Sequence, residues 1–385
     1  MDLAARLELL KSRAQERQAR PRGLPEGEPT ATPVGTAVVS RHSGPPFPEA
    51  GAWDPDRLAW LAGGGPGPRG AGPKVIFLDT ETTGLAGGTG TYAFLVGILR
   101  LVPAGGWEIQ QFFMGDPGEE AAMLTLLAEA LAGDPVIVTY NGKAFDWPLL
   151  ETRFILSRMQ VPRVSLHLDL LFPARRVWRE RLKDCSLSNL HLAVLGGDRT
   201  GDVPGWEIPS LYFEYQRLGE AGAIVPVFSH NRADIRALAE LALRLCRISR
   251  DPLATLEAPE DLAGMGRLLA ARGQGGLGRE CLEGAVSRGL AGPPRAAAER
   301  LLLRIARRQL PEAAYVKLCY RLLDSGDRSS LWPHDALAKH LEHRRRDYAA
   351  AEAVTAAALR EATAEAQTAF AHRLARLRRK LALQA

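Results

Sequence analysis

Apolar runs and apolar stripes alternate along the first two thirds of the chain and predict an α/β fold. Short runs rich in β-branched and aromatic residues occupy 75–78, 92–101, 107–114 and 135–140, and a shorter extended piece occupies 165–171. Runs of this length bounded by turn residues read as strands. A turn at 103–106, rich in glycine, joins the second and third of them as a hairpin. Apolar residues recur at helical spacing over 119–131, 148–159, 186–195 and 230–248. Ahead of the first strand, residues 2–19 carry Leu3, Leu7 and Leu10 at helical spacing. Residues 20–73 are dominated by Pro and Gly and predict mostly linker, with two ordered islands, a strand at 35–39 and a helical turn at 55–62.

Beyond Arg250 the composition shifts to Ala, Leu, Arg and Glu in helical periodicity. Turn-like points recur near Gly276, Pro311 and Asp347, which predicts tetratricopeptide-like helix pairs. The expected domains are therefore an N-terminal helix and linker (1–73), an α/β domain (74–250) and an all-α repeat region (251–385).

Composition narrows the function classes. Over 385 residues the chain is 46% apolar and 24% charged, enough to bury a sizeable core. A formal net charge of +5 and a pI near 9.1 favour a polyanionic partner. Cys185, Cys246, Cys281 and Cys319 are far apart, with no Cys-x-x-Cys pair, which argues against a zinc site and a disulfide framework and fits a reducing cytoplasm. No apolar run reaches membrane-spanning length, and the first residues lack a signal-peptide core.

The candidate chemistry lies at strand ends. Asp79 and Glu81 close the first strand, and period-2 geometry turns both carboxylates to one face. Like charges that close repel unless a cation lies between them or one takes up a proton. Oxygen-only clusters suit hard ions such as Mg²⁺ or Mn²⁺. The glycine-rich stretch after them, 84–91, lacks the Lys-Ser/Thr of a phosphate-binding P-loop and no helix follows it, so it reads as a turn between strands. Asp146 is a third acid at the C-terminal edge of a strand, after the sharp Asn141-Gly142 turn, and can also cap the helix that Pro148 opens. His230 and Asp234, four residues apart, share a face at the start of the helix reaching about 248. Taken singly, His230 reads equally as a capping or packing residue and Asp234 as a solvated first-turn acid. Together these groups fit metal-assisted phosphodiester hydrolysis, in which two ions about 3.5–4 Å apart serve the attacking and leaving oxygens and a histidine accepts a proton.

The order Asp-x-Glu, Asp, then His-x-x-x-Asp resembles the DEDD exonucleases of the ribonuclease H-like fold, and more closely their YprB-like branch. The resemblance rests on the 78–94 stretch containing Asp79-Thr80-Glu81, on 140–146, on 167–171 with Arg175-Arg176, on 185–187, on 202–209 and on His230-Asn231-Arg232-Ala233-Asp234. It covers 74–249 and implies a mixed sheet flanked by helices, with Asp79, Glu81, Asp146 and Asp234 as ligands of two Mg²⁺ or Mn²⁺ ions and His230 as general base. The histidine-using DEDD subgroup usually spaces its histidine five residues before the last acid. The gap of four here is that of the tyrosine-using subgroup, and the YprB-like pattern shares it. Asp169 matches an acid that supports structure in related exonucleases and stays outside the expected set. The resemblance further implies a 3′-to-5′ exonuclease acting on DNA in repair, C-terminal tetratricopeptide-like repeats and a helicase partner. An RNA-processing exonuclease with the same chemistry and a catalytically silent binding scaffold are the alternatives. The basic clusters Arg344-Arg345-Arg346 and 376–380 are candidates for backbone contact, against the reading that they are solvated helix faces.

Overall fold

The computed structural model describes residues 23–63, 74–84, 90–102, 106–324 and 330–384. The chain divides into two compact units, one made of 1–173 with 184–247 and the other of 174–183 with 248–385.

In the first unit a seven-stranded sheet runs in the order β1 (Glu28–Thr32), β2 (Gly35–Gly44), β5 (Trp107–Phe113), β4 (Ala93–Leu101), β3 (Val75–Thr82), β6 (Val136–Thr139) and β7 (Leu166–Asp169). Pairing is antiparallel from β1 to β3 and parallel from β3 to β7. The strand carrying Asp79 and Glu81 thus sits where the pairing switches. Asp79 lies opposite Gly97 and Glu81 opposite Leu95, with a register shift after Glu81.

The strand expected at 35–39 is present as the first half of β2, and the linker expectation is corrected over the rest of 28–44. These residues form a hairpin whose second strand pairs along β5, from Val38 opposite Phe113 to Gly44 opposite Trp107. Pro and Gly density concealed it, although Ala37, Val38 and Val39 are buried. The expected island near 55 is a helix, α1 (Pro55–Leu61), capped by Asp54 accepting from the Arg57 amide at 2.9 Å. The helix expected over 2–19 and parts of the expected turns (85–89 and 103–105) lie outside the described residues.

The core forms between the sheet and the helices Glu120–Ala130, Asp146–Leu156 and Ile208–Leu218, which contribute Leu124, Leu127, Leu150, Phe154 and Tyr212. Tyr212 stacks on Phe94 with ring centroids 4.0 Å apart and planes within 9°. The helix Ile208–Leu218 follows what reads in sequence as a loop; its Pro209 falls in the first turn, where proline is tolerated. The long helix expected from 230 begins five residues earlier and runs Val225–Arg250, so His230 lies in its second turn and is not a cap. Asp146 is likewise the first residue of its helix, with Phe145 in the cap position.

Gly97 lets that long helix approach the sheet. A Cβ there would come within 2.1 Å of both Asn231 Oδ1 and Ile235 Cδ1. The packing of these fully buried residues against β4 therefore requires hydrogen at this position.

The second unit is helical. The helix Leu171–Leu182, absent from the expected elements, lies mostly in this unit and packs on Pro259–Ala271: a Cβ at Gly264 would meet the Val177 carbonyl oxygen at 2.4 Å, and Arg181 pairs with Asp261 at 2.7 Å. Residues 174–183 thus lie outside the unit in which the expected boundary at 250 had placed them. Helices then follow at Gly275–Ser287, Gly292–Gln309, Glu312–Asp324, Trp332–His340, Tyr348–Glu361 and Ala364–Ala382, neighbours packing on one another. Asp347 caps Tyr348–Glu361 through the Ala350 amide at 2.9 Å. No helix among the described residues is long and apolar enough to cross a membrane, and all four cysteines are buried thiols outside any disulfide.

Glu342, in the π-helical turn Leu341–Arg345, is clamped by Arg376 at 2.7 Å and Lys380 at 2.9 Å. Burial raises its pKa, but the hydrogen bonds and charges of Arg376 and Lys380 outweigh that and hold it down at about 2.

Two stability outcomes follow from this packing. Gly97→Ala forces the Asn231 and Ile235 side chains away and costs about 1–3 kcal/mol in urea unfolding, whereas Gly51→Ala, facing open space, leaves stability unchanged. A carboxylate with a depressed native pKa stabilises fully above its ordinary value and loses that contribution as pH falls through the native one. Glu342→Gln therefore lowers the urea midpoint at neutral pH, and the difference from wild type shrinks as pH falls from about 4.5 toward about 2.

Candidate active site

Each candidate acid reaches the site by a different element. Asp79 and Glu81 leave β3 on one face, as alternation dictates. Asp146 follows β6 through the 140–145 turn, in which Asn141 adopts a left-handed φ of 64°. Asp169 holds that turn: its carboxylate accepts from the amides of Asn141 at 2.8 Å, Lys143 at 3.2 Å and Leu171 at 3.0 Å. This is a supporting role, as expected for Asp169. Gly142 is required here because a Cβ would press on the Thr139 side chain at 2.6 Å. Asp234 and His230 come from the helix Val225–Arg250.

The acids form one electrostatic group. Burial pushes the Asp79 carboxyl well above the ordinary range, and Asp234 and Asp146 push it further, against the Asn231 hydrogen bond and the charge of Arg199. Glu81 is raised by burial and then by Asp79, Asp234, Asp146 and Asp202. Asp146 is also raised by burial, opposed by the Thr80 hydroxyl that donates to it at 2.5 Å. Such a group accepts protons or cations readily.

Several residues that carry the site have no role in the sequence reading. Asn231 is fully buried and donates to Asp79 Oδ2 at 2.9 Å, while its own Oδ1 accepts from Gln111 Nε2 at 2.9 Å. Gln111 also donates to the Phe228 carbonyl at 3.0 Å, which fixes the amide's orientation. Arg199 bonds Asp234, Asp202 at 2.8 Å and His191 Nδ1 at 2.9 Å. Asp202 lies 2.7 Å from His230 Nδ1, and His230 Nε2 lies 3.6 Å from Asp234 Oδ2. Burial tends to raise the Asp202 pKa, but Arg199 and His230 outweigh it and hold it low. Asp202 and Asn231 stand inside recognisable motifs, whereas Arg199 carries no local signal.

His167 has a different character. Burial, then the Lys143 charge, lowers its pKa to about 4, and it pairs with the Thr139 hydroxyl at 2.9 Å beside Trp147. It remains a neutral packing group near pH 7. Phe145 and Trp206, next to Asp146 and in the Asp202 loop, are 58% and 71% exposed and offer aromatic faces to solvent.

The donor set fits a hard divalent cation in chemistry. Asp79, Glu81 and Asp146 offer carboxylate oxygens whose ionisation burial opposes, and a bound cation would relieve that opposition. Among the described residues no three His, Cys, Asp or Glu side chains are already set as a ligand group. Arg199 engages the Asp234 carboxylate.

Comparison with known proteins places these residues in context. A family model described as RNase_H superfamily matches residues 76–246. The "Uncharacterized protein YprB" of Bacillus subtilis (strain 168) is 32% identical over 317 residues, covering 80% of this chain and 75% of that protein. The family B DNA polymerase of Pyrobaculum calidifontis aligns at 17% identity with a TM-score of 0.38, over 56% of this chain and 30% of the polymerase.

Repulsion within the acid group has a measurable consequence. A carboxyl whose native pKa is raised costs nothing below its unfolded pKa, costs progressively more as pH rises above that, and costs the full amount once pH passes the native value. In chelator at neutral pH, Asp79→Asn therefore melts a few degrees above wild type, given about 2–4 °C per kcal/mol for a unit of this size. The gap closes as pH falls toward 4. Added Mg²⁺ or Mn²⁺ raises the wild-type melting temperature more than that of the variant.

Proposed function

Because this chain belongs to the family of YprB and carries an RNase_H superfamily domain, we propose that it is a metal-dependent 3′-to-5′ exonuclease hydrolysing DNA phosphodiester bonds. The observation that carries this reading is the grouping of Asp79, Glu81, Asp146 and Asp234 beside an oriented histidine. In this reading those four carboxylates hold two Mg²⁺ or Mn²⁺ ions. The chemistry such ions supply when bound is activation of water and stabilisation of charge on the scissile phosphate.

The chain's own residues do the rest. Asp202 accepts from His230 Nδ1, which leaves Nε2 as the basic nitrogen on the side of Asp234. Nε2 takes a proton from the attacking water, and the resulting imidazolium is stabilised by both carboxylates. Asn231, fixed by Gln111, keeps one Asp79 oxygen turned to the helix side and the other available. Thr80 does the same for Asp146. The exposed faces of Phe145 and Trp206 suit stacking against unpaired bases. The helical second unit serves as a tetratricopeptide-like scaffold for partners, a helicase among them, and the physiological setting is DNA repair.

The decisive experiment is digestion of matched DNA and RNA strands, labelled at either end, with Mg²⁺ or Mn²⁺. Early loss of a 3′ label from DNA is expected, and chelator stops it. Asp146→Asn and Glu81→Gln abolish cleavage while remaining folded. His230→Ala lowers the rate about 10²–10⁴-fold, and Asp202→Asn lowers it less. Faster digestion of RNA would reassign the substrate. A folded wild-type protein that cleaves neither strand would leave a binding scaffold, and Asp146→Asn cleaving at the wild-type rate would remove the site.

A further inference from the structure

The helical unit contains a concavity of about 870 Å³ whose walls include Arg304, Arg307, Arg308, Arg344 and Trp332. The helix Gly292–Gln309 carries Arg300, Arg304, Arg307 and Arg308 at intervals of four, three and one, which places them along one side. Arg300 stacks over the Trp332 ring at 4.6 Å. The two acids in the wall are already neutralised. Glu312 pairs with Arg345 at 2.7 Å and His340 at 3.2 Å, and Asp335 pairs with Lys339 at 2.8 Å and Arg373 at 2.9 Å. Among the described residues, Arg304, Arg307, Arg308 and Arg344 make no ion pair, and all four are exposed.

Several members of the basic clusters picked out by sequence are, by contrast, already paired. Arg376 and Lys380 are bound to Glu342, Arg378 to Glu352 at 3.1 Å, and Arg345 to Glu312. The unpaired guanidinium groups of the concavity come from one face of Gly292–Gln309 and from Arg344, a member of the 344–346 cluster.

We propose that this concavity binds the phosphodiester backbone of a single nucleic-acid strand. Four uncompensated positive charges in one depression repel one another, and a polyanion relieves that cost. All four are guanidinium groups, whose planar fork matches phosphate oxygens two at a time. From Arg300 to Arg308 the helix rises about 12 Å, long enough to follow several successive phosphates. Trp332, 39% exposed, adds an aromatic edge suited to a base. The choice of a nucleic acid over an acidic protein segment rests on the nuclease reading above.

The test uses the full chain in chelator, so that binding is read without cleavage. Fluorescent single-stranded DNA and RNA of about 20 nucleotides are titrated across a salt series, with a polyglutamate peptide as competitor. The triple variant Arg304→Ala/Arg307→Ala/Arg308→Ala removes exposed groups, and its melting temperature should match wild type. Loss of about three phosphate contacts lowers the log–log salt slope by about 2 and the low-salt affinity at least about tenfold. Arg378→Ala/Arg379→Ala, away from the concavity, leaves both nearly unchanged. Tighter binding of one nucleic acid identifies the source of the strand. Unchanged affinity and slope in the triple variant overturn the proposal. Polyglutamate displacing strands at equal charge concentration does so as well, and marks the concavity as a protein-docking surface. If the wild type binds strands through these arginines yet cleaves none with metal, the nuclease reading fails and the groove stands.

Discussion

The structure around the candidate site is governed by the mutual repulsion of carboxylates gathered in a place poor in water. Asp79, Glu81 and Asp146 each have an ionisation that burial opposes, and the charges of their neighbours add to that opposition for Asp79 and Glu81. Hydrogen bonds and opposite charge ease the cost of gathering such a group. Asn231 serves Asp79, the Thr80 hydroxyl serves Asp146, and Arg199 serves Asp234. The Asn231 and Thr80 bonds each engage one oxygen of Asp79 and Asp146, whereas Arg199 occupies Asp234.

Backbone features make these supports possible. The missing side chain at Gly97 lets the helix Val225–Arg250 lie close enough to β4 for Asn231 to reach both Gln111 and Asp79. The left-handed Asn141 and the close-packed Gly142 turn the chain sharply after β6, and Asp169 ties the turn to β7 through two amides. Asp146 is thereby delivered at the first residue of a helix, beside Thr80. A small change at any of these points acts on the acids through geometry without touching them.

The helical unit handles charge by the same rule with a different result. Some of its basic residues are matched locally: Arg376 and Lys380 close on Glu342, and Arg345 and His340 on Glu312. Along one face of Gly292–Gln309, Arg304, Arg307 and Arg308 make no ion pair among the described residues, the nearby Glu312 and Asp335 being engaged by other cations. Net charge alone, +5 over the chain, does not separate these two populations. What separates them is which acids the packing brings within hydrogen-bond distance.

Short-range periodicity made much of this protein legible in its sequence. The strands 75–82, 93–101, 107–113 and 136–139, the helical character beyond 250 and the shared face of Asp79 and Glu81 all follow from spacings of two or 3.6 residues. Of the hairpin Glu28–Gly44 only the strand at 35–39 was legible, and the helices Leu171–Leu182 and Ile208–Leu218 were not, because Pro, Gly and Arg masked the pattern and the sheet or a neighbouring helix supplies the burial that stabilises them. The motifs named Asp79, Glu81, Asp146, His230 and Asp234 as candidates but left the roles of Asn231, Asp202, Arg199 and Gln111 unread. Arg199 meets Asp234 across 35 residues, Gln111 meets Asn231 across 120, and Asn231 meets Asp79 across 152. Sequence determines which side chains share a strand or helix face, since that depends on local backbone geometry. Which acid receives a hydrogen bond, and which arginine is left without one, was decided only when packing brought distant segments within 3 Å of each other.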